Sequence, residues 1–400
     1  MPDVGHHAAS MLLIQNADLY APEHRGLRDL LVGGERVLWI GAPGELAELP
    51  APLRRTCERI DLAGLRVIPG LVDSHVRVTG GGGEAGFRSR VPAPVLGRYT
   101  SAGVTTAVGL LGTDDTARGP RELLAAIYAL REEGLSAWGW VGGYHVPPVT
   151  LTGALRTDLA LVEALIGVGE VAISDHRSSQ PTFDELARLG AEAHVAGLMS
   201  GKAGVVHLHL GDGPRGLDLV RRALAETEIP ARVWHPTHVN RRRALFEEAL
   251  DVARRGCTID VTAFPVDDGE DAWGAADAVR RYLDSGAPPD RLTVSSDAGG
   301  CLPCFDAEGR VSHMDVGDAG ALLATLAELV SAGVPLEHAL PVFTSNPARL
   351  LRLPRKGTVE VGGDADLVAL DADGRAHTVI ARGAVHVRGG ALVRRGTFET

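Results

Sequence analysis

The sequence predicts an α/β chain: a (β/α)8 TIM barrel with a small β-sandwich domain contributed by both chain ends. Three observations carry this expectation. Through the middle of the chain, short β-rich runs alternate with helical patterns, the signature of parallel βαβ units. Eight such runs can be counted, the number that closes a barrel. Both ends have a different texture, with short apolar segments punctuated by Gly, Pro and Asn, as in antiparallel strands.

The eight runs centre on Val67-Ile68, Thr105–Val108, Trp138–Val141, Val171–Ile173, Val205–Leu210, Val233–Thr237, Thr258–Val261 and Leu292–Ser295. Between them, Pro120–Glu133, Phe183–Leu198, Leu217–Glu226, Arg243–Ala253 and Trp273–Leu283 repeat apolar residues at helical spacing. At the ends, Leu12-Leu13-Ile14, Leu30-Leu31-Val32, Arg36–Ile40, Asp366–Leu370, Val379–Ala381 and Ala384–Val387 read as strands. The expected division is a barrel over residues 70–345, a small β domain from 11–69 and 346–400, and a disordered leader over 1–10, with Met11 as a second start.

Composition narrows the function. The chain has 400 residues, 45% of them hydrophobic, and a net charge of -11, which argues against a partner such as nucleic acid or an anionic membrane surface. A small-molecule or peptide substrate fits better. Cys57, Cys257, Cys301 and Cys304 are too scattered for a disulfide framework, which suits the cytoplasm. No apolar run reaches the roughly 18 residues of a membrane span, and His6 and His7 interrupt any signal-peptide core.

Polar residues collect at the carboxyl ends of the expected barrel strands: His75, Thr113, Tyr144, the stretch from Glu170 to Arg177, His209, His238 and Asp297. Barrel active sites are built at that end. His209, His238 and Asp297, each closing a strand, combine two imidazoles suited to zinc with a carboxylate able to take a proton from water. Several neighbouring features have plainer readings. Cys301-Leu302-Pro303-Cys304 reads as a pocket-lining loop, since it has no second cysteine pair. His207 reads as a packed, hydrogen-bonded neighbour, and His235 as structural, on the strand face opposite His238 or displaced by Pro236. Gly80–Gly83 lacks the lysine of a nucleotide loop, so it reads as a loop approaching substrate. Within Arg241-Arg242-Arg243, only Arg241 is a site candidate.

From Leu13 to Thr400 the chain resembles the isoaspartyl (β-aspartyl) dipeptidases of the amidohydrolase superfamily. The resemblance rests on Gly70–Val76, Gly80–Gly86, Val108–Asp114, Tyr144-His145-Val146-Pro147, Ile173-Ser174-Asp175-His176-Arg177, Pro236–Arg241 and Gly396-Thr397-Phe398-Glu399. It implies hydrolysis of β-aspartyl dipeptides by a metal-activated water, with Asp297 as general acid/base. That family holds two metals with a His-x-His pair, a carboxylated lysine, two further histidines and an aspartate. His75, His209, His238 and Asp297 match, but Arg77 stands at the second histidine and Glu170 at the lysine, once one inserted residue is placed around Gly169. Arginine cannot ligate a metal. The implied arrangement is one zinc ion rather than two, held by Glu170, His209 and His238, with Arg77 pairing with Glu170 where the other ion would sit; N-acetylglucosamine-6-phosphate deacetylases resemble this pattern.

By the same resemblance, Arg177 and Arg241 would clamp the substrate α-carboxylate, Glu84 would take the α-ammonium and Tyr144 would donate to the developing oxyanion. Backbone near Gly82, together with Thr113, would line the pocket, and Cys301 stands where the family has serine. A homo-oligomer is implied as well. Two alternatives remain open at this point: a dipeptide-binding homologue without activity, and an amidohydrolase acting on an N-acyl amino acid or cyclic amide.

Overall fold

The computed structural model describes residues 11–46, 57–267, 269–305 and 310–400, and the expected leader lies outside them. The two chain ends build one sheet. Met11–Tyr20 pairs antiparallel with His24–Gly33, which pairs with Arg36–Gly41. Along its other edge Met11–Tyr20 meets Cys57–Asp61 and Arg66–Pro69 in parallel. Arg66–Pro69 then pairs with Leu367–Leu370, which leads on to Ala376–Ala381, Ala384–Arg388 and Ala391–Leu392. Leu12, Ile14, Leu30, Val32, Leu367, Ala369 and Ile380 are buried together, so alternating residues of both ends share one core.

Two expectations change here. The strands are hydrogen-bonded as a single nine-stranded mixed sheet instead of a two-sheet sandwich, because Arg66–Pro69 has partners on both edges and joins the N-terminal set to the C-terminal set. Val67-Ile68 therefore belongs to this sheet and does not begin the barrel. The Pro69-Gly70 step separates it from the next apolar run, and the run after that step is the first barrel strand.

The parallel strands are β1 (Leu71–Val76), β2 (Val104–Gly109), β3 (Ser136–Val141), β4 (Leu165–Ile173), β5 (Val206–Leu210), β6 (Trp234–Thr237), β7 (Ile259–Thr262) and β8 (Leu292–Ser295). The first six are hydrogen-bonded in sequence order, and β7 pairs with β8. A parallel bridge from Val76 to Ala298 brings the end of β8 back against β1, curling the array into a TIM-like form. Helices Pro120–Glu133, Phe183–Ser200, Asp218–Glu226, Arg243–Arg254 and Ala275–Asp284 fall where the apolar spacing predicts them. With helices outside and side chains inside, nearly every residue of the eight strands is buried. Among the described residues, no helix is long and apolar enough to cross a membrane.

Two local devices aim side chains into the mouth of this array. Val206 and Leu208 of β5 face Val168 and Val171 of β4, so β4 carries one extra residue at Gly169-Glu170. The bulge falls where an inserted residue was expected, near Gly169, and it turns Glu170 inward. Gly169 has φ +153°, and a Cβ there would lie 2.8 Å from the His207 Cβ. At the ends of β4, β6 and β8, Ser174, His238 and Asp297 take left-handed φ values of 52°, 60° and 51°. Such conformations cost non-glycine residues about 1 kcal/mol or more each and cluster at functional sites.

Candidate active site

Glu170 lies fully buried at the centre of the strand ends. Its Oε1 accepts a hydrogen bond from Arg77 Nη2. Its Oε2 faces three imidazoles, at 3.3 Å from His209 Nδ1, 3.3 Å from His238 Nε2 and 3.6 Å from His75 Nε2. The far nitrogens of the first two rings are engaged elsewhere: His209 Nε2 lies 2.9 Å from Asp175 Oδ2, and His238 Nδ1 lies 2.7 Å from Thr262 Oγ1. An outer partner of this kind orients an imidazole toward a metal.

Arg77 pairs with Glu170 as expected and spans to a second carboxylate: Nη2 binds Glu170, while Nε lies 3.2 Å from Asp297 Oδ1. Only 5% of Arg77 is exposed, so its charge is compensated by these carboxylates and not by water. Burial alone would raise the Asp297 pKa, but Arg77 first, and then His75, hold it at about 2. Burial pushes His238 down to about 3, which leaves a neutral ring. The Tyr144 phenol is driven well above its ordinary range by burial and then by Glu170, so it remains a donor.

These residues fit a divalent cation. Glu170, His209 and His238 form one group of donors within 4.8 Å of one another, and His75, His238 and Asp297 form a second that shares His238. Donors bound at about 2.0–2.1 Å in a tetrahedron stand roughly 3.3–3.4 Å apart, which the Glu170 contacts match. His75 Nε2 is buried without a hydrogen-bond partner. In the buried cluster, Glu84, Glu170, Asp175 and Asp297 oppose Arg77 and Arg177, leaving two uncompensated negative charges. One divalent ion balances that excess, whereas two would overshoot it.

Above this floor is a cavity of about 430 Å³ lined by Glu84, Thr113, Tyr144, Arg177, Arg241 and Cys301, along with Gly82, His209, His238 and Asp297. Glu84 Oε1 accepts from Thr113 Oγ1 at 3.0 Å, and its Oε2 is buried and unpartnered. The Arg177 guanidinium forks onto Asp175 at 3.0 and 2.8 Å and lies over the Tyr144 ring. Arg241 is tied to Asp212 at 2.9 Å and to the Leu210 carbonyl at 2.8 Å. Gly82 has φ +78°, and a Cβ there would press within 2.4 Å of the Ser89 carbonyl. Burial pushes the Cys301 thiol up to about 12, so it lines the pocket as a neutral group.

Cys301–Phe305 and Val311–Val316 pair as a hairpin, where a loop was expected, and Leu302, His313 and Asp315 add to the cavity wall. The Cys304 side chain lies outside the described residues. His207 is packed and hydrogen-bonded as expected, but His235 points to the barrel interior, its Nδ1 2.8 Å from His207 Nδ1. His235 and His238 can both face inward because His238 leaves the strand geometry at its left-handed turn. Asp175 and Asp212, which engage Arg177 and Arg241, had no assigned role; their signal is an acid beside each candidate arginine, close in sequence for one and across strand ends for the other.

Residues 66–386 match the amidohydrolase family. The chain belongs to that family. This amidohydrolase is similar to a β-aspartyl dipeptidase from the thermophilic keratin degrader Fervidobacterium islandicum AW-1, solved in complex with a β-Asp-Leu dipeptide. The two are 40% identical with a TM-score of 0.88, over 96% of this chain and 98% of the other. More distant sequence relatives include a deacetylase of Agrobacterium fabrum, 25% identical over 362 residues, which are 86% of this chain and 78% of that protein. An imidazolonepropionase of Pseudomonas aeruginosa is 26% identical over 370 residues, 86% and 87% of the two chains. An N-acetylglucosamine-6-phosphate deacetylase from Pasteurella multocida, 17% identical over 94% of this chain and all of the other, with a TM-score of 0.61, shares the fold alone. The amidohydrolase is β-aspartyl-dipeptidase-like, with buried His, Asp and Glu groups suited to a metal.

Proposed function

We propose that this amidohydrolase cleaves β-aspartyl dipeptides with a single divalent ion, most simply Zn²⁺, held by Glu170, His209 and His238. The observation that carries the reading is Glu170, with one oxygen neutralised by Arg77 and the other facing two imidazole nitrogens at 3.3 Å. An ion there supplies Lewis acidity and an activated water. Glu84 Oε2, buried and unpartnered, receives the substrate ammonium. Arg177 and Arg241, whose guanidiniums line the cavity, hold the α-carboxylate. The Tyr144 hydroxyl donates to the carbonyl oxygen as negative charge grows on it. Asp297, whose Oδ1 is engaged by Arg77, takes a proton at Oδ2 and returns it to the leaving amine. The barrel over 70–345 carries this site, and 11–69 with 346–400 form its companion domain.

One observation favours a second reading, a dipeptide-binding homologue without turnover. The guanidinium that holds Asp297 at about 2 also weakens it as a base. Metal content per chain and turnover of β-Asp-Leu on the same preparation separate the two. One ion with cleavage is the expected result. Metal-free protein that binds the dipeptide without cleaving it supports the second reading, and two tightly held ions overturn the single-ion account.

A further inference from the structure

A row of buried polar groups runs inward from His75 through the barrel core, and beyond His75 neither the resemblance nor the proposed reaction gives its residues work. His75 Nδ1 lies 2.8 Å from His207 Nε2. His207 Nδ1 lies 2.8 Å from His235 Nδ1, and His235 Nε2 lies 3.1 Å from Thr293 Oγ1. Thr293 Oγ1 stands 2.5 Å from Asp260 Oδ1, and Thr237 and Ser295 hydroxyls reach Asp260 Oδ2 at 2.6 Å each. All seven residues are at most 0% exposed. The His207 ring also stacks on Trp140, with centroids 4.8 Å apart, so it is held in place and cannot rotate freely.

The direction of this row follows from proton bookkeeping. Three hydroxyls around one carboxylate make Asp260 an acceptor, and Thr293 has a single proton, which the 2.5 Å contact commits to Asp260. Thr293 Oγ1 must then accept from His235 Nε2. A neutral His235 is left with a bare Nδ1, which accepts from His207 Nδ1, and the bare Nε2 of His207 accepts from His75 Nδ1. The lone pair of His75 is thereby placed on Nε2, the atom that has no hydrogen-bond partner and lies 3.3 Å from Asp297 Oδ1 and 3.6 Å from Glu170 Oε2.

We infer that the row His207–His235–Thr293–Asp260 sets the tautomer of His75, so that His75 presents a bare Nε2, 3.6 Å from Glu170 Oε2, as a further donor to the single ion proposed at Glu170, His209 and His238. His207, His235 and Thr293 are then positioning residues, acting through His75 without touching substrate. The inference rests on the proposed metal site for its purpose, but the proton pattern of His207 and His235 exists with or without metal.

The test uses the full-length protein with 15N-labelled histidine. The expected pattern in neutral rings is a proton on Nδ1 of His75 and His207 and on Nε2 of His235, read in the metal-free protein for His207 and His235 and after Zn²⁺ addition for His75. The reversed pattern, with His207 protonated on Nε2 and His235 on Nδ1, overturns the inference whatever the metal does. Thr293→Val, which keeps the shape and removes the anchor, should weaken Zn²⁺ binding about tenfold by competition titration and mix the tautomers of His235. Thr293→Ser should restore both. Unchanged Zn²⁺ affinity in a folded Thr293→Val protein also overturns it. If the wild-type protein shows the expected tautomers yet binds no Zn²⁺, the metal reading fails and the row's direction stands without the cation it was inferred to serve.

Discussion

Arg77 decides what the site can hold. A guanidinium cannot be deprotonated at usable pH, and here it is buried between Glu170 and Asp297. Restoring the family's ligand types with Arg77→His and Glu170→Lys together removes that cation and supplies a lysine in the bulge position. Metal analysis should then rise from one ion per chain to two, provided bicarbonate is present to carboxylate the lysine. A stoichiometry that stays at one would mean that the bulged residue does not occupy the bridging position, or that Arg77 is not what excludes the second ion. The identity of Arg77 is legible in the sequence, because it interrupts a His-x-His pattern. Its partners are less so. Pairing with Glu170 follows from charge complementarity, but the contact to Asp297, 220 residues away, depends on β8 returning beside β1.

At the scale of the element, the bulge in β4 places Glu170. Gly169→Ala forces a side chain into φ +153° and to within 2.8 Å of His207. The expected result is a loss of about 1–3 kcal/mol in denaturant unfolding, along with weaker Zn²⁺ binding as Glu170 moves. Undiminished Zn²⁺ affinity would show that the bulge does not aim the ligand. Strands β2 to β8 were legible as β-rich runs, five of them, β2 and β4 to β7, coupled to a following helical pattern. The first was not: Val67-Ile68 and Leu71-Val72 read as one apolar stretch, and only the hydrogen bonding to Leu367–Leu370 assigns the former to the end sheet. Likewise the fusion of both ends into one sheet depends on pairing across some 300 residues, which alternation alone does not encode. The strand-end residues His75, Tyr144, His209, His238 and Asp297 could be read from position, whereas the His75–His207–His235–Thr293 row joins four different strands and emerges only when the sheet curls.

The whole molecule carries an unusual load of buried neutral imidazole. Burial pushes His235, His238 and His386 down to about 3, and His207 well below its ordinary value. A histidine depressed in the folded state contributes stability that is complete above about pH 6.5 and is lost as pH falls toward 3, since only the unfolded chain takes up the proton. Two aspartates oppose this: burial raises Asp73 to about 7 and Asp260 to about 6, so the folded chain holds protons that the unfolded one has released above about pH 4. Four histidines outweigh two aspartates, and the metal-free protein should lose about 2.7 kcal/mol per pH unit on acidification between about pH 6 and 5, more steeply below that as the depressed carboxylates Glu170, Asp175 and Asp297 join in. His386 isolates one contribution away from the site. Both its ring nitrogens lack hydrogen-bond partners among the described residues, and the residue is fully buried. His386→Leu should therefore raise stability by about 1 kcal/mol at neutral pH and make the acid slope shallower by about 1.4 kcal/mol per pH unit. Parallel unfolding curves for the two proteins across that range would show that the imidazole is charged in the folded chain, and that burial at this junction between the end sheet and the barrel is less complete than the packing indicates.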